Sequence, residues 1–309
     1  TDMIKQESTT SGIQTSNSEE KFNQNCVDRR KFISGITTAT LAMTIVPRHV
    51  LGGVGFIAPS DKITLAYIGT GTQGLREIQP LLAIPELQII AVCDPQKEAN
   101  GYLDWSKNGL RDEIRSTLKN RDWKSGGDNT VPGGRDNGKE IVDTYYSKFR
   151  SDQKFGSCNA YADFRELFEK EKDLNAVKVM TPDHLHGLIA MAAMKRGISV
   201  TTHKPISNRL EEGYQVIEQA KKSAVTTHLI AWDSNGSMEQ VMNWINQGAI
   251  GTLQEVHNWS NRPVWPQYPV LPIDQPSVPN GMDWNLWLGP EAERPYHPYY
   301  TNMVFRGWF

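Results

Sequence analysis

The chain has 309 residues, of which 38% are hydrophobic and 22% charged, a composition typical of a globular protein long enough for two domains. Its 33 basic and 35 acidic residues give a net charge of −2, which disfavours nucleic acid or an anionic membrane as a partner. No apolar run reaches the ~20 residues that span a bilayer. The three cysteines match neither a zinc site nor a disulfide framework, and we expect no metal.

Residues 1–60 are predicted to precede the folded part of the chain. A polar tail leads to the paired arginines Arg29 and Arg30, which are followed by Phe32 and a mildly apolar stretch ending at Pro47. This pattern resembles a twin-arginine export signal, either cleaved or kept as a tether, and predicts a periplasmic or secreted protein. A short amphipathic surface helix is the alternative. The Gly-rich residues that follow Pro47 predict a linker.

A dinucleotide-binding signature begins at residue 61. The apolar run 63–68 predicts a buried parallel strand, and a helical segment follows it. At such a strand-to-helix turn, glycines expose backbone N–H groups to a pyrophosphate at the helix N-terminus. The turn has the Gly-x-Gly-x-x-Gly pattern, and we expect all its residues to bind the cofactor: Gly69, Thr70, Gly71, Thr72, Gln73 and Gly74.

A second predicted strand, residues 87–93, ends at Asp94, which lies 20 residues after Gly74 (94 − 74). A carboxylate at this place accepts hydrogen bonds from an adenosine ribose, and its charge would repel the 2′-phosphate of NADP. The spacing therefore predicts NAD as the cofactor, while the nearby Lys97 leaves NADP open as an alternative. Cys93 is interpreted as a buried strand residue.

Residues 101–160 interrupt the alternation of strands and helices. Their periodicity is poor, apart from a predicted helix around residues 139–148, but their aromatic content indicates an ordered insertion. The pattern assigns no chemistry to this insertion. A helix over residues 163–170 and a strand over 176–180 are predicted to follow it.

That strand leads to a second constellation of candidate site residues. We expect Thr181, Pro182 and His186 to contact the cofactor and His184 to be catalytic, with Asp183 as the N-cap of a helix. The turn should face the same crevice as the glycine loop, because ligands bind outside the carboxyl ends of parallel strands. The two histidines, at positions i and i+2, point to different sides of a helix and do not predict a metal pair. Capping and packing roles are the alternative.

The next predicted strand, residues 198–202, delivers His203 and Lys204. A lysine at a strand end beside a cofactor can exchange a proton with a substrate hydroxyl. We therefore expect Lys204 to be catalytic and to contact the cofactor, with His203 as a further catalytic candidate and a surface turn as the alternative. Asn208 is predicted to cap a helix, and residues 224–231 are predicted to be the last strand of this domain.

Residues 232–309 are predicted to begin a second domain. Ser237 and Gln240 form a capping box before a helix with Val241 and Trp244 facing inward, and residues 253–260 predict a strand. Regularly spaced prolines then keep the chain extended. The aromatic residues around them could stack on a sugar, or could form a hydrophobic core or an oligomer arm: Trp265, Trp284, Trp287, Tyr296, Tyr299 and Tyr300.

These motifs resemble the Gfo/Idh/MocA family, which contains glucose-fructose oxidoreductase and inositol dehydrogenase. The resemblance rests on the glycine loop, on Val92–Pro95, on Thr181–His184, and on His203-Lys204-Pro205, where the family usually has Glu-Lys-Pro. It implies a Rossmann domain, an open-sheet α/β C-terminal domain that covers the cofactor, and hydride transfer at a sugar or cyclitol carbon. Lys204 would take the role of the family's catalytic lysine. His203 removes a carboxylate that could hold this lysine, and the family's later catalytic histidine does not occur before Phe309.

The sequence thus predicts an α/β protein with a Rossmann doubly wound parallel sheet in residues 61–231, followed by an incomplete C-terminal domain in 232–309. The expected function is exported NAD(P)-dependent oxidoreduction of a carbohydrate, in a C-terminally truncated chain whose full-length form is a homo-oligomer. Its tail and insertion are most similar to secreted members from Bacteroidetes-type bacteria. The alternatives are a glycoside hydrolase that uses NAD transiently and a binding protein that has lost turnover.

Overall fold

The computed structural model describes residues 57–104, 106–125, 130–151, 155–230, 235–259, 270–301 and 305. All of them belong to one compact unit, Pro47–Phe309. The predicted export signal and Trp265 lie outside the described residues. None of the described helices is long and apolar enough to cross a membrane.

The main sheet has six parallel strands: β1 (Ile63–Ile68), β2 (Leu87–Cys93), β5 (Asn159–Tyr161), β6 (Ala176–Val179), β7 (Ser199–His203) and β8 (Thr227–Ile230). Their spatial order is β5-β2-β1-β6-β7-β8. Two further strands, β3 (Ala99–Leu103) and β4 (Thr130–Gly133), form a separate antiparallel pair. The six-stranded order is that of a doubly wound Rossmann sheet, in which the winding reverses between β1 and β6. The predicted fold of this part of the chain is confirmed.

Six helices cover the two faces of this sheet. One face carries α1 (Thr72–Leu82), α2 (Gly109–Leu118) and α3 (Arg135–Phe149), and the other carries α4 (Phe164–Lys170), α5 (His186–Met194) and α6 (Leu210–Lys222). Side chains along β1 point alternately into two hydrophobic cores, one on each face of the sheet. Leu65 and Tyr67 point into the core with α1, while Ala66 and Ile68 point into the core with α5.

The insertion holds more regular structure than its periodicity predicted. It supplies β3, α2, β4, α3 and the edge strand β5. The helix predicted around residues 139–148 is confirmed as α3. The sequence reasoning missed α2, on which Leu110, Ile114 and Leu118 recur every four residues and are fully buried. At the end of α3, Nη2 of Arg150 donates to the Pro85 carbonyl at 2.9 Å, which ties the insertion to the loop before β2. The insertion is therefore part of the Rossmann core.

Two helices begin at other residues than predicted. Asp183 does not cap α5, because a 3₁₀ turn over Asp183–Leu185 precedes the helix and makes Leu185 its N-cap. The N-cap of α6 is Arg209 rather than Asn208. The hydroxyl of Ser207 accepts the Arg209 N–H at 3.0 Å, and this local turn moves the helix start by one residue.

Beyond β8, the described residues form α7 (Asn235–Asn246), α8 (Trp284–Leu288) and a final 3₁₀ turn. α7 starts before Ser237, so the predicted capping box is wrong, and Val241 and Trp244 are 41% and 50% exposed rather than inward-facing. The strand predicted from residue 253 is also wrong, since the described residues 253–259 form no strand. A strand needs a partner for its backbone groups, and the described part of the chain offers none there.

Candidate dinucleotide site

The glycine loop follows β1 at the point where the sheet reverses its winding. Gly69 has φ +99°, and a Cβ built on it would lie 2.5 Å from the carbonyl carbon of Met180 at the end of β6. A Cβ on Gly74 would lie 2.1 Å from the Gly69 carbonyl oxygen. Both positions therefore require glycine, the first for conformation and contact and the second for the close approach of α1 to the strand.

The N-terminus of α1 is suited to an anion. Its N-cap is Gly71, which offers no side-chain cap, and its first turn contains no acidic residue. Backbone N–H groups and the helix dipole at such an end attract a phosphate group. The ring of Tyr102, on β3, lies beside this loop, since a Cβ on Gly71 would be 3.0 Å from its Cε1.

Asp94 lies directly after β2 and is only 6% exposed. Its Oδ2 accepts the Thr70 N–H at 2.8 Å and the Thr70 hydroxyl at 3.2 Å, and its Oδ1 accepts the Gln96 N–H at 2.9 Å. Burial raises the pKa of Asp94, while these donors oppose the rise. A carboxylate has roughly four lone-pair sites, so capacity remains for a ribose hydroxyl. The structure thus brings Asp94 to the glycine loop.

The second constellation follows β6. Thr181 comes directly after Met180, whose backbone abuts Gly69, and its Oγ1 is buried without a hydrogen-bond partner among the described residues. A buried hydroxyl at this edge needs a partner, which a bound ligand can supply. Together with the uncapped helix end and Asp94, this orphaned hydroxyl shows that the residues present fit a dinucleotide.

His184 and His186 are held by backbone carbonyls. Nε2 of His184 lies 2.8 Å from the Trp287 carbonyl oxygen. Nδ1 of His186 lies 2.7 Å from the carbonyl oxygen of Pro205, and its Nε2 lies 2.8 Å from that of Thr181. Burial lowers the pKa of both rings, whereas the carbonyl contacts favour their charged forms. The two side chains point to different elements, and their catalytic and cofactor roles remain predictions.

His203 and Lys204 lie at the end of β7. Lys204 is half-buried, its N–H donates to the Ile230 carbonyl at 3.1 Å, and its carbonyl oxygen lies 3.0 Å from Nδ1 of His203. Parallel β1, β6 and β7 are neighbours, so Lys204 is at the same sheet edge as the glycine loop. Its catalytic role stays a prediction.

The structure adds a residue that the sequence reasoning missed. Glu77, on α1, accepts a hydrogen bond from Gln73 at 2.9 Å, pairs with Lys178 of β6 at 2.8 Å, and lies 3.5 Å from Nε2 of His203. Burial opposes its ionisation, but these contacts outweigh burial and lower the pKa of Glu77 to about 2. A lysine in the middle of a buried strand was the available signal, because such a charge needs a partner. A carboxylate thus lies beside His203 after all, supplied by the helix of the glycine loop.

The C-terminal aromatic residues pack against one another. The Trp284 and Trp287 rings stack with centroids 5.0 Å apart, and both are buried together with Tyr300. This favours the hydrophobic-core interpretation over a sugar platform. Trp287 also lies 5.1 Å from the His184 ring, so the cluster adjoins the end of β6. Among the described residues, no group of three or more His, Cys, Asp or Glu side chains could hold a metal ion.

Fold and site define a Rossmann protein of the NAD-binding class. Residues 130–230 match the model of an oxidoreductase family with an NAD-binding Rossmann fold, named for Gfo, Idh and MocA. Over these residues the chain is similar to the Gfo/Idh/MocA family.

Several known proteins are similar to the chain. A levoglucosan dehydrogenase from Pseudarthrobacter phenanthrenivorans is 27% identical over 36% of this chain and 30% of that protein. A glycosyl hydrolase family 109 protein from a Shewanella species is 22% identical over 71% of this chain and 40% of that protein. The chain spans less than half the length of these relatives. Among solved structures, the WlbA dehydrogenase from Bordetella pertussis, in complex with NADH and UDP-GlcNAcA, has a TM-score of 0.40 at 15% identity, covering 62% of this chain and 43% of that one.

Proposed function

We propose that the chain is an NAD-dependent oxidoreductase acting at a hydroxyl-bearing carbon of a sugar or cyclitol. The observation that carries the proposal is the placement, at one sheet edge, of the glycine loop, Asp94 and Lys204. Ligands of doubly wound sheets bind at this edge, where the winding reverses. When bound, NAD supplies the hydride acceptor.

The residues of this chain would bind the cofactor and transfer the substrate proton. The N-terminus of α1 holds the pyrophosphate, Asp94 accepts the ribose hydroxyls, and the Thr181 hydroxyl donates towards the bound dinucleotide. Nζ of Lys204 takes the proton of the substrate hydroxyl when the alcohol is oxidised, and returns it in the reverse direction. His203, held beside Glu77, fixes the end of β7 from which Lys204 projects.

The role of Lys204 is tested by Lys204→Ala in the full-length protein. We expect turnover to fall ~10²- to 10⁴-fold against a panel of sugars and cyclitols, because a positioned proton donor contributes that much. NAD affinity and the melting temperature should change little. Lys195→Ala, at an exposed position, is the control. Activity within a few fold of the native protein would move the role to another residue.

A second candidate is a glycoside hydrolase that oxidises and re-reduces its sugar with bound NAD. The similarity to glycosyl hydrolase family 109 proteins, over 71% of this chain, favours it. The two functions differ in their products. Accumulation of NADH with a sugar supports the dehydrogenase, whereas glycosidic cleavage without net NADH supports the hydrolase.

We also propose that the protein is exported by the twin-arginine route. The motif around Arg29 and Arg30 supports this proposal, and that route can carry a folded protein with its cofactor bound. Fusing residues 1–60 to a reporter tests it. Replacing both arginines with lysine should block export, and export that survives this change contradicts the proposal.

A further inference from the structure

Arg135, the first residue of α3 in the insertion, binds the backbone of the residues that follow β2. Its Nη1 donates to the Asp94 carbonyl at 3.0 Å and to the Pro95 carbonyl at 3.3 Å. Its backbone N–H donates to the Gln96 carbonyl at 3.0 Å. Arg135 therefore binds the backbone of three consecutive residues, and the first of them, Asp94, carries the carboxylate proposed to bind the ribose.

The same helix start also holds the glycine loop. The N–H of Gly134 donates to the Thr70 carbonyl at 3.0 Å, and a Cβ built on Gly138 would lie 2.6 Å from Cγ2 of Thr70. Thr70 in turn donates twice to Asp94. The start of α3 thus fixes both segments that meet at this carboxylate.

The groups that face Asp94 come from every element around it. Thr70 belongs to the glycine loop, Gln96 follows β2, and Tyr102 belongs to β3. The Cys93 thiol lies on β2 itself, and burial raises its pKa. Burial is also the main influence on Asp94 and raises its pKa, while the hydrogen bonds from Thr70 and Gln96 and, after them, the positive charge of Arg135 act against the rise.

We propose that Arg135 is a positioning residue of the dinucleotide site, which holds the end of β2 and keeps the Asp94 carboxylate charged for the adenosine ribose. This inference rests on the proposed function and gives the insertion a role in cofactor binding. Arg135 acts through Asp94, so its effect must depend on the charge of that carboxylate. Removing the cation therefore weakens NAD binding more in acid than in base.

The test is NAD titration between pH 5.5 and 8 with the native chain, Arg135→Gln and Arg135→Lys. In Arg135→Gln we expect the ratio of the NAD Kd at pH 5.5 to that at pH 8 to rise above the native ratio, because Asp94 protonates at higher pH without the cation. Arg135→Lys keeps the charge and should stay near the native ratio. Arg196→Gln, which removes another guanidinium that donates to a backbone carbonyl, is the matched control and should not change the ratio.

The outcomes separate the inference from the proposed function. A native ratio in Arg135→Gln overturns the inference, and so does an equal loss of affinity at every pH with a lower melting temperature, since both indicate packing alone. Asp94→Asn should flatten the acid side of the profile. A native chain that binds no NAD at any pH contradicts the proposed function instead.

Discussion

At the scale of single residues, Asp94 is held by the glycine loop and is the proposed contact of the adenosine ribose. Its carboxylate already accepts two donors from Thr70, so the ribose would bind to a group that the loop holds in place. Replacing Asp94 with Ala should weaken NAD binding and relieve repulsion of the 2′-phosphate of NADP. A hydrogen bond to a charged group is worth ~1.5–3 kcal/mol, which sets the scale of each effect.

Titrating the native chain and this variant with both dinucleotides checks the change in preference. The melting temperature serves as a control for folding, since Asp94 also bonds the backbone of Thr70 and Gln96. A native chain that favours NADP tenfold would contradict the assignment.

Glu77 makes a prediction about acid stability. Its folded-state pKa of about 2 lies below the ordinary value of 4.5, so its contribution is fully present above pH 4.5 and is lost as the pH falls towards 2. Glu77→Gln keeps the shape of the side chain and removes the charge that Lys178 and His203 face. We expect a loss of about 1 kcal/mol at pH 7, because solvent screens this partly exposed group.

Urea unfolding of both proteins at several pH values measures the effect. The difference between native protein and variant should shrink as the pH falls below about 4.5. Gln73→Ala is the comparison variant, because it removes an uncharged partner of Glu77 and leaves the ion pairs in place. A difference that stays constant down to pH 3 would show that the ion pairs do not carry it.

At the scale of elements, local pattern predicted some strands well and others not at all. The runs 63–68 and 87–93 form strands over the predicted residues, because both are apolar and each is followed by a turn residue, Gly69 or Asp94. The strand β5 has three residues, too few for a period to show, and only its pairing with β2 makes it a strand. Two helix starts moved by one or two residues, where a hydroxyl turn and a 3₁₀ turn competed with the expected caps.

The packing of α8 gives a prediction at this scale. Trp287 is 7% exposed, stacks on Trp284, and its backbone carbonyl contacts His184 at the end of β6. Trp287→Ala should lower the free energy of unfolding by about 3 kcal/mol, since it leaves a cavity in a small core. Proteases should then cut between residues 282 and 301 more readily.

Chemical denaturation and limited proteolysis measure these two effects. Trp259→Ala is the matched control, because Trp259 is 84% exposed and its removal should cost no more than ~0.5 kcal/mol. Equal costs for the two tryptophans would show that α8 does not contribute to the stability of the fold.

At the scale of the whole molecule, the candidate site is assembled from segments more than a hundred residues apart. Spacing in the sequence predicted the glycine loop, Asp94 and the ends of β6 and β7, because each follows its own strand. It could not predict Arg135 or Glu77, whose partners depend on how the insertion and α1 fold back on the sheet. Motifs therefore predict which groups follow the strands at one edge of the sheet, and three-dimensional packing decides which residues hold those groups in place.

The outer face of α6 supports a last prediction, about association. Leu210 and Tyr214 are 79% and 63% exposed, and Leu229 of the neighbouring edge strand is 42% exposed. Exposed apolar side chains promote association between molecules, and an edge strand adds unpaired backbone groups. We expect the apparent molar mass of the 309-residue chain, measured by light scattering, to rise with concentration. Leu210→Glu with Tyr214→Lys should lower this apparent mass and leave NAD affinity unchanged, because neither residue is among the proposed cofactor contacts.

Val270→Glu, at a 72% exposed position outside this face, is the control for the double variant. If the native chain remains monomeric at every concentration, or if the control is as effective as the double variant, this face does not drive association.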